Sequence, residues 1–186
     1  LNLIFQLNDY DEIYGSNTQL ESFTEGELIS FDAILGYDGH VKLFESINGI
    51  QTLIGYADIG SNILTADNQT YPISAQNGSN INGILLFEER VNGEAVVTVD
   101  LEGLDSQSVY EAIIYSGAVE STEEESAVLV LNPFDGQTGV SWTNVAPIEG
   151  FEMDYNTLVS LDGHLKVILI QEDLLVASGN IGINAE

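Results

Sequence analysis

The chain has 186 residues and a formal net charge of -27, because 30 acidic side chains are set against only three basic ones. A surface this acidic repels phosphate backbones and anionic lipids, so we expect no nucleic-acid partner and no direct membrane insertion. No apolar run approaches the ~18 residues of a membrane span. Absence of cysteine excludes disulfides and thiolate metal sites. With an apolar fraction of 44%, the chain is predicted to be globular.

Short β-rich runs separated by turn residues recur along the chain, which is typical of an antiparallel sandwich or barrel. The turn pairs Asp38-Gly39, Asn92-Gly93 and Asp162-Gly163 are predicted to form two-residue hairpin turns, since both central positions of such turns need positive φ. The predicted strands cover 2–7, 40–46, 81–89, 94–103, 109–117, 126–132, 164–171 and 174–182. The fold class is therefore predicted to be all-β.

Two segments depart from the strand pattern and have apolar spacing compatible with one or two helical turns. They are SFDAILGY at 30–37 and DYNTLVSL at 154–161. Each lies directly before an Asp-Gly-His word followed by an apolar residue and a lysine. These words are made of Asp38, Gly39 and His40 in the first case, and of Asp162, Gly163 and His164 in the second.

The two Asp-Gly-His words belong to an internal repeat. A shift of 124 positions places Asp38 on Asp162 and holds without a gap over some forty residues; after a two-residue slip, 57–62 falls on 179–184. Residues 1–62 are accordingly interpreted as the C-terminal half of a first unit, and residues 63–186 as a complete unit. The words themselves are interpreted as structural hairpin elements, with Val41, Leu43, Leu165 and Val167 pointing into the core.

An isolated half unit would expose one apolar face and its strand edges, which soluble proteins avoid. Three hypotheses explain how the apolar face of the half unit is dealt with. The missing half is removed by processing, the half unit packs on the complete unit, or another molecule supplies the complement. The last is strand exchange, which builds homo-oligomers, fibres or pilus-like assemblies.

The stretches 64–104, 130–145 and 155–182 resemble the CHRD domain family of secreted or lipid-anchored surface proteins, and 31–60 is similar to the last of them. The resemblance implies Greek-key β-sandwich units with the topology of copper/zinc superoxide dismutase, arranged as a tandem repeat. The family's middle strand carries a His-x-His word, at which this chain has Ile113 and Tyr115. Neither side chain supplies an imidazole nitrogen, so we expect no dismutase-type metal site.

The remaining candidates for chemistry are few. His40 and His164 are interpreted either as metal ligands or, preferably, as rings packed over a neighbouring strand. Weak calcium candidates are Asp9 and Asp11 in the cluster 8–12, and Asp135 at the equivalent place. The second acidic cluster, 120–126, is interpreted as a solvated loop that keeps a sheet edge soluble. Trp142 is interpreted as core or interface packing in preference to a sugar-stacking platform.

The sequence thus predicts a non-catalytic structural or adhesive protein outside the cell, located extracellularly or at the cell surface. It is predicted to assemble into an oligomer or filament by β-strand exchange and to need no cofactor. Two alternatives stay open: a calcium- or glycan-binding surface module, and a degenerate dismutase-like metalloprotein.

Overall fold

The computed structural model describes Leu7, Asp9 and the ranges 30–119, 125–145 and 153–185. The chain divides into two compact units, residues 1–63 and residues 64–186, called unit 1 and unit 2 below. The strand predicted at 2–7 lies outside the described residues, apart from Leu7.

The described part of unit 1 is a short helix followed by a long β-hairpin. Helix α1 spans Phe31–Leu35, strand β1 spans Asp38–Ile47 and strand β2 spans Ile50–Gly60. The strands are antiparallel, and Asn48 and Gly49 connect them with φ of 53° and 81°. Positive φ at both central residues gives the turn a twist that matches the right-handed twist of the strands.

Unit 2 is predominantly β-structure. Its elements are β3 (Leu64–Ala75), β4 (Asn82–Arg90), β5 (Ala95–Glu102), β6 (Val109–Ser116), β7 (Ala127–Val130), β8 (Phe134–Asp135), β9 (Val140–Val145), α2 (Tyr155–Val159), β10 (Asp162–Leu169), a 3₁₀ turn (Ile170–Glu172) and β11 (Leu174–Gly182). The antiparallel strand order is β7-β6-β10-β11-β3-β4-β5-β9, and β8 pairs with β6.

One buried cluster receives side chains from both ends of this strand order. Strand β5 contributes Val97 and Val99, while β6 contributes Ile114 and β10 contributes Leu165 and Val167; each is 0–1% exposed. Because successive side chains of a strand point to opposite faces, each strand delivers alternate residues to this core. The all-β prediction is confirmed, whereas Greek-key connectivity and a tandem repeat stay predictions.

Most local predictions from the sequence are confirmed. Seven of the predicted strands coincide with β1, β4, β5, β6, β7, β10 and β11, and the two predicted helical turns coincide with α1 and α2. A hairpin turn is present at Asn92-Gly93, but the prediction of a two-residue turn is wrong there. The Arg90 N–H donates to the carbonyl of Glu94 over 2.8 Å, which leaves a three-residue loop, and of the pair only Gly93 has positive φ, at 85°.

The prediction that Asp-Gly closes the hairpins is wrong in both units. Asp38 pairs with Gly60 and Asp162 pairs with Gly182, so both words begin a strand at the open end of its hairpin. The second hairpin turns instead through the 3₁₀ segment, where Asp173 has φ of 50°. Asp-Gly and Asn-Gly carry the same local turn signal, and only strand pairing decides which of them forms the turn.

Candidate functional site

The two helix and hairpin segments have the same local construction, and we call residues 30–62 helix-hairpin 1 and residues 154–184 helix-hairpin 2. Each helix begins with a side-chain cap. The Ser30 hydroxyl accepts a hydrogen bond from the Ala33 N–H over 3.0 Å, and the Asp154 carboxylate accepts one from the Thr157 N–H over 2.7 Å. Such caps satisfy N–H groups that have no partner inside the helix.

The strand registers also agree. Gly39 pairs with Ile59 as Gly163 pairs with Ile181, and the register shifts after Leu43 in β1 as it does after Val167 in β10. A bulge inserts one extra residue and increases the local twist, so a bulge at the equivalent place gives both hairpins the same bend.

At the end of each hairpin, a glycine packs closely against the loop before the first strand, and an asparagine hydrogen-bonds to the beginning of that strand. Gly60 and Gly182 have φ of 62° and 58°, and a Cβ on either would lie 2.1 Å or less from a carbonyl oxygen of the preceding loop. Two residues later, the side-chain amide of Asn62 donates to the Gly39 carbonyl over 3.2 Å, and that of Asn184 donates to the Gly163 carbonyl over 3.3 Å.

Helix-hairpin 2 is paired along both edges. Strand β10 pairs with β6 from Gly163 to Leu169, and β11 pairs with β3 at Ala177 and Ser178. The inward residues Leu165 and Val167 are 0% exposed, as predicted from their alternation. Gly163 lies so close to β6 that a Cβ there would approach the Tyr115 carbonyl oxygen to 2.8 Å.

His164 is completely buried at this junction between β10 and β6. Its ring stacks on that of Tyr115, with centroids 5.7 Å apart and planes inclined at 18°. The His164 Nδ1 lies 2.6 Å from the Gly117 carbonyl oxygen. Because a carbonyl only accepts hydrogen bonds, Nδ1 carries the proton and donates it. The ring therefore fastens the end of β6 to β10.

A charged pair covers this histidine. The Lys166 ammonium forms an ion pair with the Glu125 carboxylate, and its Nζ lies 5.1 Å from the centroid of the Tyr115 ring. Another carboxylate oxygen of Glu125 lies 3.6 Å from His164 Nε2. The side chains of Lys166 and Glu125 are 22% and 25% exposed, so water screens the pair only in part. Lys166 thus has an aromatic face on the neighbouring strand β6 and a counterion, Glu125, in the segment that precedes β7.

Helix-hairpin 1 has the same construction without that cover. In the part of the chain that the structure describes, no third strand pairs with β1 or β2. None of residues 30–63 is fully buried, and Leu43, the counterpart of Val167, is 41% exposed. The prediction that Leu43 points into a core is therefore wrong, and Val41 is only half-buried, because no sheet among the described residues covers this face.

Lysine and apolar side chains are left at the surface of helix-hairpin 1. Lys42, the counterpart of Lys166, has no ion-pair partner among the residues that the structure describes. The large apolar side chains that helix-hairpin 1 exposes are Phe31, Leu35, Leu43, Phe44, Ile47, Ile50, Leu53, Ile54 and Tyr56. Among the described residues, therefore, one hairpin is paired on both edges and buried, and the other, with the same local geometry, has no further strand beside it and is exposed.

The calcium candidates are not brought together by the described structure. Asp135 is the exposed last residue of β8, and its Oδ1 accepts hydrogen bonds from the N–H groups of Gln137 and Thr138 and from the Thr138 hydroxyl. These bonds from Thr138 and then Gln137 lower the pKa of Asp135, since they favour the ionised form. Asp9 is exposed, and Asp11 lies outside the described residues. Asp135 therefore stabilises its own loop.

The described ranges contain no cluster of three or more histidine, cysteine, aspartate or glutamate side chains able to hold a metal ion. Ile113 and Tyr115 lie on β6, directly opposite Lys166 and His164. Trp142 lies on β9, at the end of the strand order, and is 63% exposed, so core packing is wrong for it and interface packing stays a prediction.

Sequence reasoning missed the contacts that join distant parts of unit 2. Lys166 and Glu125 are forty-one residues apart, and the sequence predicts Glu125 only as part of a solvated acidic loop, 120–126. The one signal for them was the repeated lysine two positions after each histidine, which a turn element alone does not require.

Comparisons with models of protein families, with curated proteins and with solved structures gave no match. No helix in the described ranges has the length and apolar character needed to cross a membrane.

Proposed function

We propose that the chain is a non-catalytic structural or adhesive subunit of an assembly outside the cell, built from CHRD-like sandwich units. Helix-hairpin 1 is the surface through which the assembly forms. The chain is located extracellularly or at the cell surface, where salt screens the self-repulsion of its charge of -27.

One observation carries this proposal: the same helix and hairpin is paired on both edges in unit 2 and on neither edge in the described part of unit 1. Along these edges the backbone N–H and C=O groups have no strand partner among the described residues, and a further strand can hydrogen-bond to them. Exposed apolar side chains beside them, such as Ile50 at 70% and Ile54 at 57%, supply the hydrophobic part of an interface.

The charge distribution favours specific over indiscriminate association. Copies of this chain repel one another through their acidic surfaces, so contact is favoured only where burial of apolar area outweighs the repulsion. Each leucine-sized side chain that is fully buried contributes about 1.5–3 kcal/mol toward such contact. Lys42 adds an attractive charge at the same place.

Sedimentation velocity over a range of concentrations tests the proposal. We expect species larger than the monomer to grow with concentration, and Leu53→Lys, which places a charge on the exposed apolar surface of β2, to abolish them. The matched control is Val91→Lys, on a turn of unit 2 that is 60% exposed, which should leave association unchanged. A monomer at every concentration, or equal effects of the two variants, would contradict an assembly formed through helix-hairpin 1.

A further inference from the structure

We propose that the open edge of β1 binds one antiparallel strand with the chemistry of β6, carried by the front half of a partner sandwich unit. This inference rests on the proposed function and names the partner that its surface takes. The inference is drawn by comparing each residue of β1 with its counterpart on β10 and with the contact that this counterpart makes to β6.

The register of the partner strand is set by helix-hairpin 2. There His164 lies opposite Tyr115, Leu165 opposite Ile114, and Val167 opposite Ala112. Because the hairpins agree in register and in the position of the bulge, the incoming strand places an aromatic residue opposite His40, a large aliphatic residue opposite Val41 and a small one opposite Leu43.

The residues at the edge of β1 correspond to those that β6 contacts on β10. Gly39 corresponds to Gly163; a Cβ on Gly39 would meet the ring of Tyr37 at 2.5 Å, whereas one on Gly163 would meet the Tyr115 carbonyl oxygen of β6 at 2.8 Å. His40 is half-buried, and the aromatic residue opposite it would stack on its ring as Tyr115 stacks on His164. Backbone hydrogen bonds along the strand would give affinity, and these side-chain positions would give specificity.

Charge complementarity identifies the same partner. Lys166 is neutralised by Glu125, which follows β6 in the chain, and lies beside the ring of Tyr115 on that strand. Lys42 has the same place on β1 and no ion-pair partner among the described residues. A strand that carries a tyrosine and leads to a glutamate would therefore satisfy Lys42, whereas a strand with a basic residue there would be repelled.

A second copy of the described residues gains no pairing by supplying this strand. The described ranges contain two helix-hairpins and, within 64–145, one set of strands of the kind that covers them. That set already covers helix-hairpin 2. Exchange between copies would uncover one hairpin for each that it covers. The strand therefore comes from a front half that is not already paired with a helix-hairpin of its own.

An extended chain tests the inference: a copy of residues 64–125 is placed before Leu1, so that a front half is present at high effective concentration. Hydrogen exchange followed by mass spectrometry is measured across 39–45. We expect exchange there to slow by at least about tenfold relative to the original chain, because formerly open N–H groups of β1 become hydrogen-bonded. The concentration-dependent association of the original chain, which burial of the exposed apolar side chains of helix-hairpin 1 drives without exchange of strands, should disappear as well, because the added front half covers those side chains.

Two variants of the extended chain separate specific pairing from general stabilisation. Ile114→Asp, made only in the added copy, should abolish the slowing, since its carboxylate would lie against Val41. Lys42→Glu leaves the added segment intact and should reduce the slowing severalfold through repulsion from the added copy of Glu125.

The inference is overturned if exchange across 39–45 is unchanged in the extended chain, or if neither variant reduces the slowing. It is also overturned if self-association already protects 39–45 and persists in the extended chain, because the occupant is then a second copy. A monomeric original chain whose extended form is protected would refute self-assembly through the hairpin and leave the strand-binding inference standing.

Discussion

Leu165→Ala should cost far more stability than the same substitution at Leu174. Leu165 lies on β10 and is 0% exposed, between the backbone of β6 and that of β11. Leu174 begins β11 and is 37% exposed. Both substitutions remove the same side-chain atoms from unit 2. The difference between their losses in free energy of unfolding therefore measures the effect of burial.

The magnitudes follow from the lost transfer energy and the cavity. Removing three buried carbons costs about 2.4 kcal/mol at about 0.8 kcal/mol each. The cavity left in a rigid core raises the cost for Leu165 to about 2–5 kcal/mol. Because Leu174 is 37% exposed, its substitution loses only roughly 60% of that transfer free energy and leaves no closed cavity. The loss of stability should therefore not exceed about 1.5 kcal/mol.

Urea unfolding measures both variants in the full chain. Trp142 is the sole tryptophan and lies in unit 2, so its fluorescence reports on that unit, and far-ultraviolet circular dichroism gives a second probe. Where the free energy of unfolding falls with urea concentration at the same slope in two variants, their stabilities can be compared through their unfolding midpoints. Equal losses at Leu165 and Leu174 would refute the assignment of β10 to the interior of the sandwich.

Three further predictions concern helix-hairpin 2. Hydrogen bonds from Thr157 hold the pKa of Asp154 below its usual range, so its contribution to stability is present above about pH 4 and is lost as pH falls through the lowered value; Asp154→Ala should cost about 1 kcal/mol at pH 7 and progressively less as the pH falls below about 4. Gly163→Ala should cost about 1–3 kcal/mol by overpacking against β6. A double-mutant cycle with Lys166→Met and Glu125→Gln should give a coupling of about 0.5–1 kcal/mol that falls in 1 M salt.

Each of these has a control within the chain. Asp154→Asn keeps a capping side chain without its charge, so it should lose little at pH 7 and flatten the dependence on pH. Gly55→Ala should be tolerated, because its Cβ would meet no atom closer than 3.9 Å. For the charged pair, a coupling that is unchanged by salt would show that packing, and not charge, joins the two side chains.

Local sequence alone was sufficient for the class of the fold and for most of its elements. The strands follow from alternation over a few neighbouring residues, and α1 and α2 from apolar spacing in 30–37 and 154–161. These patterns are local because side chains repeat every two residues in a strand and every 3.6 in a helix. The repeated Asp-Gly-His word also identified, without coordinates, two segments that adopt the same local geometry.

Tertiary structure decided what those equal segments do. Both words read as turns, yet pairing placed the turns at Asn48-Gly49 and near Asp173, because a turn forms where its flanking strands can pair in register. His164 and Lys166 acquired Tyr115 and Glu125 as partners because β6 lies beside β10 in space and far from it in sequence. Burial depends on what covers a strand, which explains why Val167 is in a core and its counterpart Leu43 is at the surface.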